Sequence, residues 1–191
     1  VAMKILEGFS RRMRYLDEAL TRLALKTTAE EDPDHLFKVG EYYLKQSQYS
    51  MAHYAYHQYM RLRPNGPNVA KARERILKIK PYSKAVYLDD TNDVFTRTYP
   101  KDTMVFVETM PGQELHIIQK GSIKITKLMN GKEVLIAVLK QGDIFGEMSL
   151  LENKPRSASA SAYSDAVLLA VNKANFSRMV TTQPQIIARL T

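Results

Sequence analysis

The chain has 191 residues with a net charge of +8, and 45% of the residues are hydrophobic. This length allows one ordinary domain or two small ones, and the composition is that of a folded globular protein. The absence of cysteine excludes disulfides, thiolate metal sites and a cysteine nucleophile, and it fits a cytoplasmic protein. No apolar run approaches the roughly 20 residues of a membrane-spanning helix, so no membrane association is expected.

The sequence divides into a helical half and a strand-rich half. Residues 1–80 carry 15 Lys and Arg against nine Asp and Glu and have helical periodicity. Residues 81–191 contain short alternating apolar segments separated by glycine turns, a pattern typical of an all-β roll. We therefore predict an α+β protein with an amphipathic helix over 1–28, a helical segment over 29–80 and an antiparallel β-roll or jelly roll with flanking helices over 81–191.

The first helix carries an apolar seam with heptad spacing over three heptads. Such a seam is typical of helix pairing, although it also suits a helix that packs on its own domain. We expect either that packing or a homodimer through these positions, which are Leu6, Phe9, Met13, Leu16, Leu20 and Leu23.

The segment that follows resembles one tetratricopeptide repeat, a helix-turn-helix unit with small residues where its helices cross. The small residues Gly40 and Ala52 would allow close approach, and a third helix is expected from Asn68 to Ile79. A single unit of this kind offers a surface for a protein partner. The other positions that carry the resemblance are Leu36, Val39, Tyr43, Tyr56 and Pro64.

The helical half is rich in tyrosine and basic residues, which leaves two interpretations open. The tyrosines and His53 and His57 can fill the space between helices or form a stacking surface for bases, and we favour the first. The basic residues Lys71, Arg73, Arg75, Lys78 and Lys80 can be a solvated face or a nucleic-acid interface, and nucleic-acid binding is the less favoured.

The second half contains four glycine turns spaced about ten residues apart. Asn130-Gly131 is the strongest hairpin signal in the chain. The apolar segment 133–139 is predicted to be a more fully buried strand. Two further strands follow around Ser164-Asp165, and helices are expected near 173–180 and 185–190.

Residues 142–160 combine features that suit an anionic ligand. Gly146 permits close approach of the backbone, and the residues after it can form one helical turn with free N–H groups. Arg156 offers a forked cation for phosphate oxygens, with the Ser157 hydroxyl beside it. Glu147 is a carboxylate next to this site, which is understandable if it accepts hydrogen bonds from ligand hydroxyls.

This segment resembles the phosphate-binding cassette of the cyclic nucleotide-binding domain family, through "QGDIFGE" and "PRSASA" within 87–180. The resemblance implies that Glu147 binds the ribose 2′-hydroxyl and Arg156 the cyclic phosphate. Backbone N–H groups near Gly146, Met148 and Ser157 would complete the cradle, and the apolar residues Val134, Ile136 and Ile144 would line the ribose and base side. Ser157 leaves cAMP and cGMP open as ligands; cAMP is favoured, and no other cofactor or metal is expected.

No catalytic activity is expected, because no nucleophile is paired with a positioned base. A metal-dependent β-roll enzyme needs several histidine ligands, and this half contains only His116.

We therefore expect a cytoplasmic, bacterial-type cyclic nucleotide sensor that signals through helix rearrangement, with Phe176 and Met179 as candidate hinge contacts. The alternatives are a protein-interaction scaffold with a nucleotide-insensitive barrel, or nucleic-acid binding through the basic half. Residues 1–28 resemble the dimerising helix that follows such a barrel in this family. The sequence is therefore interpreted as a fragment of a longer protein with an earlier barrel.

Overall fold

The computed structural model describes residues 32, 34–85 and 96–172. The expected helix over 1–28, its heptad positions from Leu6 to Leu23 and the expected helices after Val171 lie outside the described residues. In the part of the chain that is described, no helix is long and apolar enough to cross a membrane.

The described helical segment contains three helices joined by short turns: α1 (His35–Lys45), α2 (Tyr49–Leu62) and α3 (Val69–Ile79), followed by a 3-10 turn at Lys80–Tyr82. The α1 and α2 helices cross closely at Gly40, where an added Cβ would lie 2.6 Å from the ring of Tyr56. The close approach expected at Gly40 is therefore present. The resemblance to a tetratricopeptide repeat stays a prediction.

The strand-rich half forms two four-stranded sheets in which every pairing is antiparallel. One sheet has the order β1-β8-β3-β6 and the other the order β2-β7-β4-β5. The strands are β1 (Thr96–Tyr99), β2 (Met104–Phe106), β3 (Glu114–Lys120), β4 (Ser122–Met129), β5 (Lys132–Lys140), β6 (Ile144–Phe145), β7 (Ser159–Ala162) and β8 (Ala166–Asn172), with a short helix α4 (Glu147–Glu152) between β6 and β7.

The predicted hairpin at Asn130-Gly131 joins β4 to β5. Both residues have positive φ angles, 52° and 71°, as the tight hairpin turn requires. The turn sets the pairing of the two strands, which begins with Met129 opposite Lys132.

The prediction of a more fully buried strand over 133–139 is wrong. This segment lies in β5, an edge strand of its sheet, and Val134, Leu135, Ile136 and Val138 are exposed. A run of apolar residues does not distinguish a central strand, covered on both faces, from an edge strand whose outer side has no neighbour.

One hydrophobic core joins the helices to the sheets. The tyrosines Tyr43, Tyr54, Tyr56 and Tyr59 are buried in it, which confirms that these tyrosines fill the space between helices. Met104, Val107 and Met110 of the strand-rich half belong to the same cluster.

Polar bonds reinforce this junction. The Tyr54 hydroxyl donates to the carbonyl of Val105 over 3.0 Å, and His35 Nε2 lies 2.8 Å from Oε1 of the buried Glu108. Both contacts link the β2–β3 region to helices α1 and α2.

Candidate functional site

The candidate site begins where β6 ends and α4 starts. Gly146 caps α4 with a φ angle of 78°, in the left-handed region that glycine adopts without strain. A Cβ added at Gly146 would lie 2.6 Å from Arg156 Nη1. Both the backbone conformation and the space beside Arg156 therefore require glycine.

Arg156 extends inward from the segment before β7 and is only 6% exposed. Its Nη1 donates to the carbonyl of Gly146 over 2.7 Å, and its Nη2 donates to the carbonyl of Glu114 over 2.8 Å. The guanidinium lies 4.0 Å from the centroid of the Phe106 ring, a cation–π arrangement. These contacts fix the cation against the backbone of β3 and the loop before α4.

Burial lowers the pKa of Arg156 to about 10, because desolvation disfavours the charged form. The nearby carboxylates of Glu114 and Glu147 act in the opposite direction. The side chain is still a cation at neutral pH, and its Nε has no hydrogen-bond partner. An oxyanion at this position would relieve part of the desolvation cost.

A cavity of about 200 Å³ lies beside this arginine. It is lined by six of the eight residues that the sequence predicts for the site, namely Ile144, Gly146, Glu147, Met148, Arg156 and Ser157. Residues of the cassette that are up to 13 positions apart thus share one cavity. Their part in binding a ligand stays a prediction.

Val134 and Ile136 do not line this cavity, and their side chains are 42% and 52% exposed on β5. The cavity is lined instead by Ile125 and Leu139. The β4–β5 pairing shifts between Ile125 and Thr126, which leaves Ile136 as the extra residue of a bulge. The alternation of side chains along β5 could have indicated which residues face the cavity. The sequence did not show where the bulge interrupts that alternation.

The lining of the cavity includes further residues that the sequence analysis missed. Phe106 and Phe145 line it, together with Ser149. The Ser149 hydroxyl donates to the Gly146 carbonyl over 3.3 Å. The Ser157 hydroxyl lies 3.9 Å from Met148 Sδ, a weak contact that an oxyanion would readily replace.

The described residues contain no group of three or more metal-ligating side chains. His116 is buried and stacks on Phe145 with ring centroids 5.2 Å apart. The pKa of His116 is lowered well below its ordinary value. Burial is the largest cause, and the positive charges of Arg156 and Arg97 lower it further. His116 is therefore a neutral packing residue at physiological pH.

Residues 96–183 match the family model described as "Cyclic nucleotide-binding domain". The chain is 34% identical over 91 residues to the cyclic AMP receptor protein of Thermus thermophilus, covering 47% of this chain and 42% of that protein. It is 31% identical over 111 residues to a cAMP-dependent protein kinase regulatory subunit of Aspergillus niger, covering 58% and 26%. The crystal structure of the Thermus thermophilus catabolite activator protein is similar, with 33% identity, a TM-score of 0.45 and coverage of 50% and 45%. The chain spans less than half the length of these relatives.

Proposed function

We propose that this chain is a cyclic nucleotide sensor with cAMP as its favoured ligand and with a regulatory, non-catalytic function. Residues 96–183, which match the family model of the cyclic nucleotide-binding domain, support this proposal. One observation carries the proposal: the glycine, the carboxylate, the cation and the hydroxyl of the cassette line one cavity, and these residues are Gly146, Glu147, Arg156 and Ser157. Among the described residues that line this cavity, the charged ones are Glu147 and Arg156.

The chemistry of each group suits one part of the ligand. Arg156 supplies forked, charge-assisted hydrogen bonds to the cyclic phosphate, and its carbonyl partners Gly146 and Glu114 hold it in place. Glu147 accepts hydrogen bonds from the ribose 2′-hydroxyl. Ile144, Ile125 and Leu139 supply apolar contacts, which suit the sugar and the base.

Isothermal titration of the chain with cAMP, cGMP and 5′-AMP tests the proposal. We expect saturable binding of the cyclic nucleotides, tighter for cAMP, and at least tenfold weaker binding of 5′-AMP, whose open phosphate has a different shape and charge. No binding of either cyclic nucleotide at millimolar concentration would contradict the sensor function and leave a scaffold with an insensitive barrel.

The contacts of Arg156 support a route by which binding alters the helices. The Arg156 amide donates to the Met110 carbonyl, and the Thr109 amide donates to the Arg156 carbonyl, both over 2.8 Å. Met110 packs in the core that contains α1 and α2. A ligand that binds one arrangement of these contacts more tightly shifts the population toward it.

Hydrogen exchange of the α1 and α2 amides with and without cAMP tests this route. Altered protection in both helices supports it, whereas changes confined to residues 142–160 oppose it. Phe176 and Met179, the hinge contacts expected from the sequence, lie outside the described residues.

The assembly of the chain is also a proposal. We expect a homodimer through the heptad positions between Leu6 and Leu23 and a protein partner on the helical segment, in the cytoplasm. Sedimentation of the unmodified chain and of the variant with Leu16→Asp and Leu20→Asp tests the dimer, because charges in an apolar seam oppose pairing. A monomeric unmodified chain at high micromolar concentration contradicts it.

A further inference from the structure

Helix α3 has one buried side and one exposed stripe. Ala72 and Ile79 are buried, and both belong to the core that contains α1 and α2. Residues three and four positions apart share a face of a helix. An exposed stripe therefore runs along α3 on a side that faces away from this core, and its members are Ala70, Arg73, Leu77 and Lys80.

Leu77 is the apolar centre of this stripe. Its side chain is 69% exposed, and that of Tyr82 in the following 3-10 turn is 71% exposed. These are the two most exposed large hydrophobic side chains in the part of the chain that the structure describes. A single exposed leucine is ordinary on a protein surface, so the charges around Leu77 decide what it can bind.

The surface around Leu77 is strongly basic. Residues 69–84 contain six Lys and Arg against one Glu. That glutamate is bound by Lys78 over 2.6 Å, and two further cations lie next to Glu41 of α1. The remaining three form no ion pair with the described residues, and they are Arg73, Lys80 and Lys84.

The stability of α3 itself explains only part of this pattern. Lys78 and Lys80 lie at the C-terminal end of the helix, where cations interact favourably with the helix dipole. Arg73 lies in the middle of the helix, outside the range of that effect, and Leu77 gains nothing from contact with water. The stripe therefore places cations four positions before and three positions after one apolar side chain.

We propose that the stripe of Ala70, Arg73, Leu77 and Lys80 is a docking face for an acidic amphipathic helix of a partner protein. The apolar side of such a helix would cover Leu77, and its carboxylates would pair with Arg73 and Lys80. The small side chain of Ala70 allows the two helices to approach closely. The 11 residues of α3 span about 16 Å, which suits a partner helix of about three to four turns.

A nucleic acid fits this face less well than an acidic helix does. Phosphates would match Arg73 and Lys80 but would leave Leu77 exposed. The docking face gives a location and a chemistry to the protein partner proposed for the helical segment. It therefore rests on that part of the proposed function and not on nucleotide binding.

Binding of a synthetic acidic peptide to the full chain, followed by fluorescence anisotropy, tests the docking face. The peptide consists of Glu, Leu and Ala, forms about four helical turns and carries its leucines on one side. We expect saturable binding that weakens as sodium chloride increases. Leu77→Gln should weaken it about fivefold or more. The matched control is Leu135→Gln, at a β5 leucine that is 58% exposed, and it should leave binding unchanged.

Charge reversal provides a second measurement. Arg73→Glu combined with Lys80→Glu should weaken binding of the acidic peptide about tenfold, because two attractions become repulsions. The same variant should bind a peptide in which every Glu is replaced by Lys. Lys101→Glu combined with Lys132→Glu changes the net charge equally at two exposed positions of the strand-rich half, and it should alter both affinities much less.

Three results would overturn the docking face. They are no binding of the acidic peptide at high micromolar concentration, equal effects of the Leu77 and Leu135 variants, and tighter binding of a DNA duplex that Leu77→Gln does not weaken. The last result would indicate a nucleic-acid surface. Titration of the same samples with cAMP keeps the two functions apart. Peptide binding without cAMP binding upholds the docking face and contradicts the sensor, and the reverse result contradicts the docking face alone.

Discussion

The guanidinium of Arg156 donates a hydrogen bond to the backbone carbonyl of Gly146 over 2.7 Å. Arg156 lies ten residues after Gly146 in the sequence. This hydrogen bond therefore joins the two ends of the cassette loop, and both ends contribute residues to the candidate site. The arginine thus stabilises the loop that surrounds the candidate phosphate site, and in the proposed function it also supplies the charge for that phosphate. Substitutions at Arg156 should therefore affect both folding and binding.

Arg156→Ala should lower cAMP affinity at least tenfold, because it removes a charge-assisted, forked contact worth about 1.5–3 kcal/mol. It should also lower the free energy of unfolding, because the carbonyls of Gly146 and Glu114 lose their donors. Titration calorimetry and urea unfolding separate the two effects. Lys154→Ala, an exposed cation two residues earlier, is the control and should change neither quantity by a comparable amount. A folded Arg156→Ala variant with unchanged affinity would exclude the phosphate contact.

Glu147→Ala should weaken cAMP binding, and the loss should shrink when the ligand is 2′-deoxy-cAMP. Glu147 lies in the first turn of α4 and lines the cassette cavity, where its carboxylate can accept a hydrogen bond from the 2′-hydroxyl. The four affinities, for two proteins and two ligands, form a double-mutant cycle. Equal losses with both ligands would contradict the contact and would indicate that Glu147 acts on the loop.

Gly146→Ala should abolish or strongly weaken nucleotide binding, whereas Gly131→Ala should cost stability alone. Both glycines have positive φ angles, 78° and 71°, so each substitution carries a similar strain of about 1–2 kcal/mol. Only at Gly146 does the new Cβ meet a neighbour, Arg156 Nη1 at 2.6 Å, and nothing lies within 4 Å of the one at Gly131. Calorimetry and urea unfolding of both variants provide the comparison. Similar cAMP affinities in the two variants would show that Arg156 can move aside.

The sequence predicted the turns of the barrel and the cassette well, because both depend on local chemistry. The hairpin at Asn130-Gly131 needs two residues that tolerate positive φ angles, and no distant contact is required to recognise it. The same is true of Gly146 and Arg156, whose spacing and residue types predicted a candidate anion site. Six of the eight predicted residues accordingly line one cavity.

The wrong predictions concern features that depend on tertiary structure. An apolar run over 133–139 can form either a buried central strand or an edge strand. The order of strands in the sheet places it at the edge. The bulge at Ile136 decided which side chains of β5 face the cavity. The burial of Arg156 against the Glu114 carbonyl was also invisible, because those residues are 42 positions apart.

Gly40→Ala should destabilise the helical segment, although helix propensity alone favours alanine by about 1 kcal/mol. The new Cβ would lie 2.6 Å from two ring carbons of Tyr56. That ring cannot move freely, because it is fully buried and its hydroxyl donates to Glu41 over 2.6 Å. Overpacking of this kind costs about 1–3 kcal/mol.

The matched background for Gly40→Ala is Tyr56→Leu, which removes the ring that the Cβ would meet. Urea unfolding of the four proteins measures the coupling between the two positions. We expect Gly40→Ala to lower stability in the unmodified chain and to raise it, or leave it unchanged, with Leu at position 56. A stabilising effect in both backgrounds would contradict the close crossing of α1 and α2.

The stability of the chain should fall as the pH decreases below about 6.5, and His116 should account for part of the fall. Burial is the main cause that lowers its pKa in the folded state, with Arg156 and Arg97 adding to the shift, while the unfolded chain has the ordinary histidine value near 6.5. The unfolded state therefore binds more protons below pH 6.5, so the contribution of His116 is complete above that pH and is lost progressively below it. His53, whose pKa burial lowers to about 4, acts in the same direction. Urea unfolding between pH 7 and 5 measures the slope, which His116→Gln should reduce whatever its effect on absolute stability. An unchanged slope would show that His116 is protonated within the folded chain.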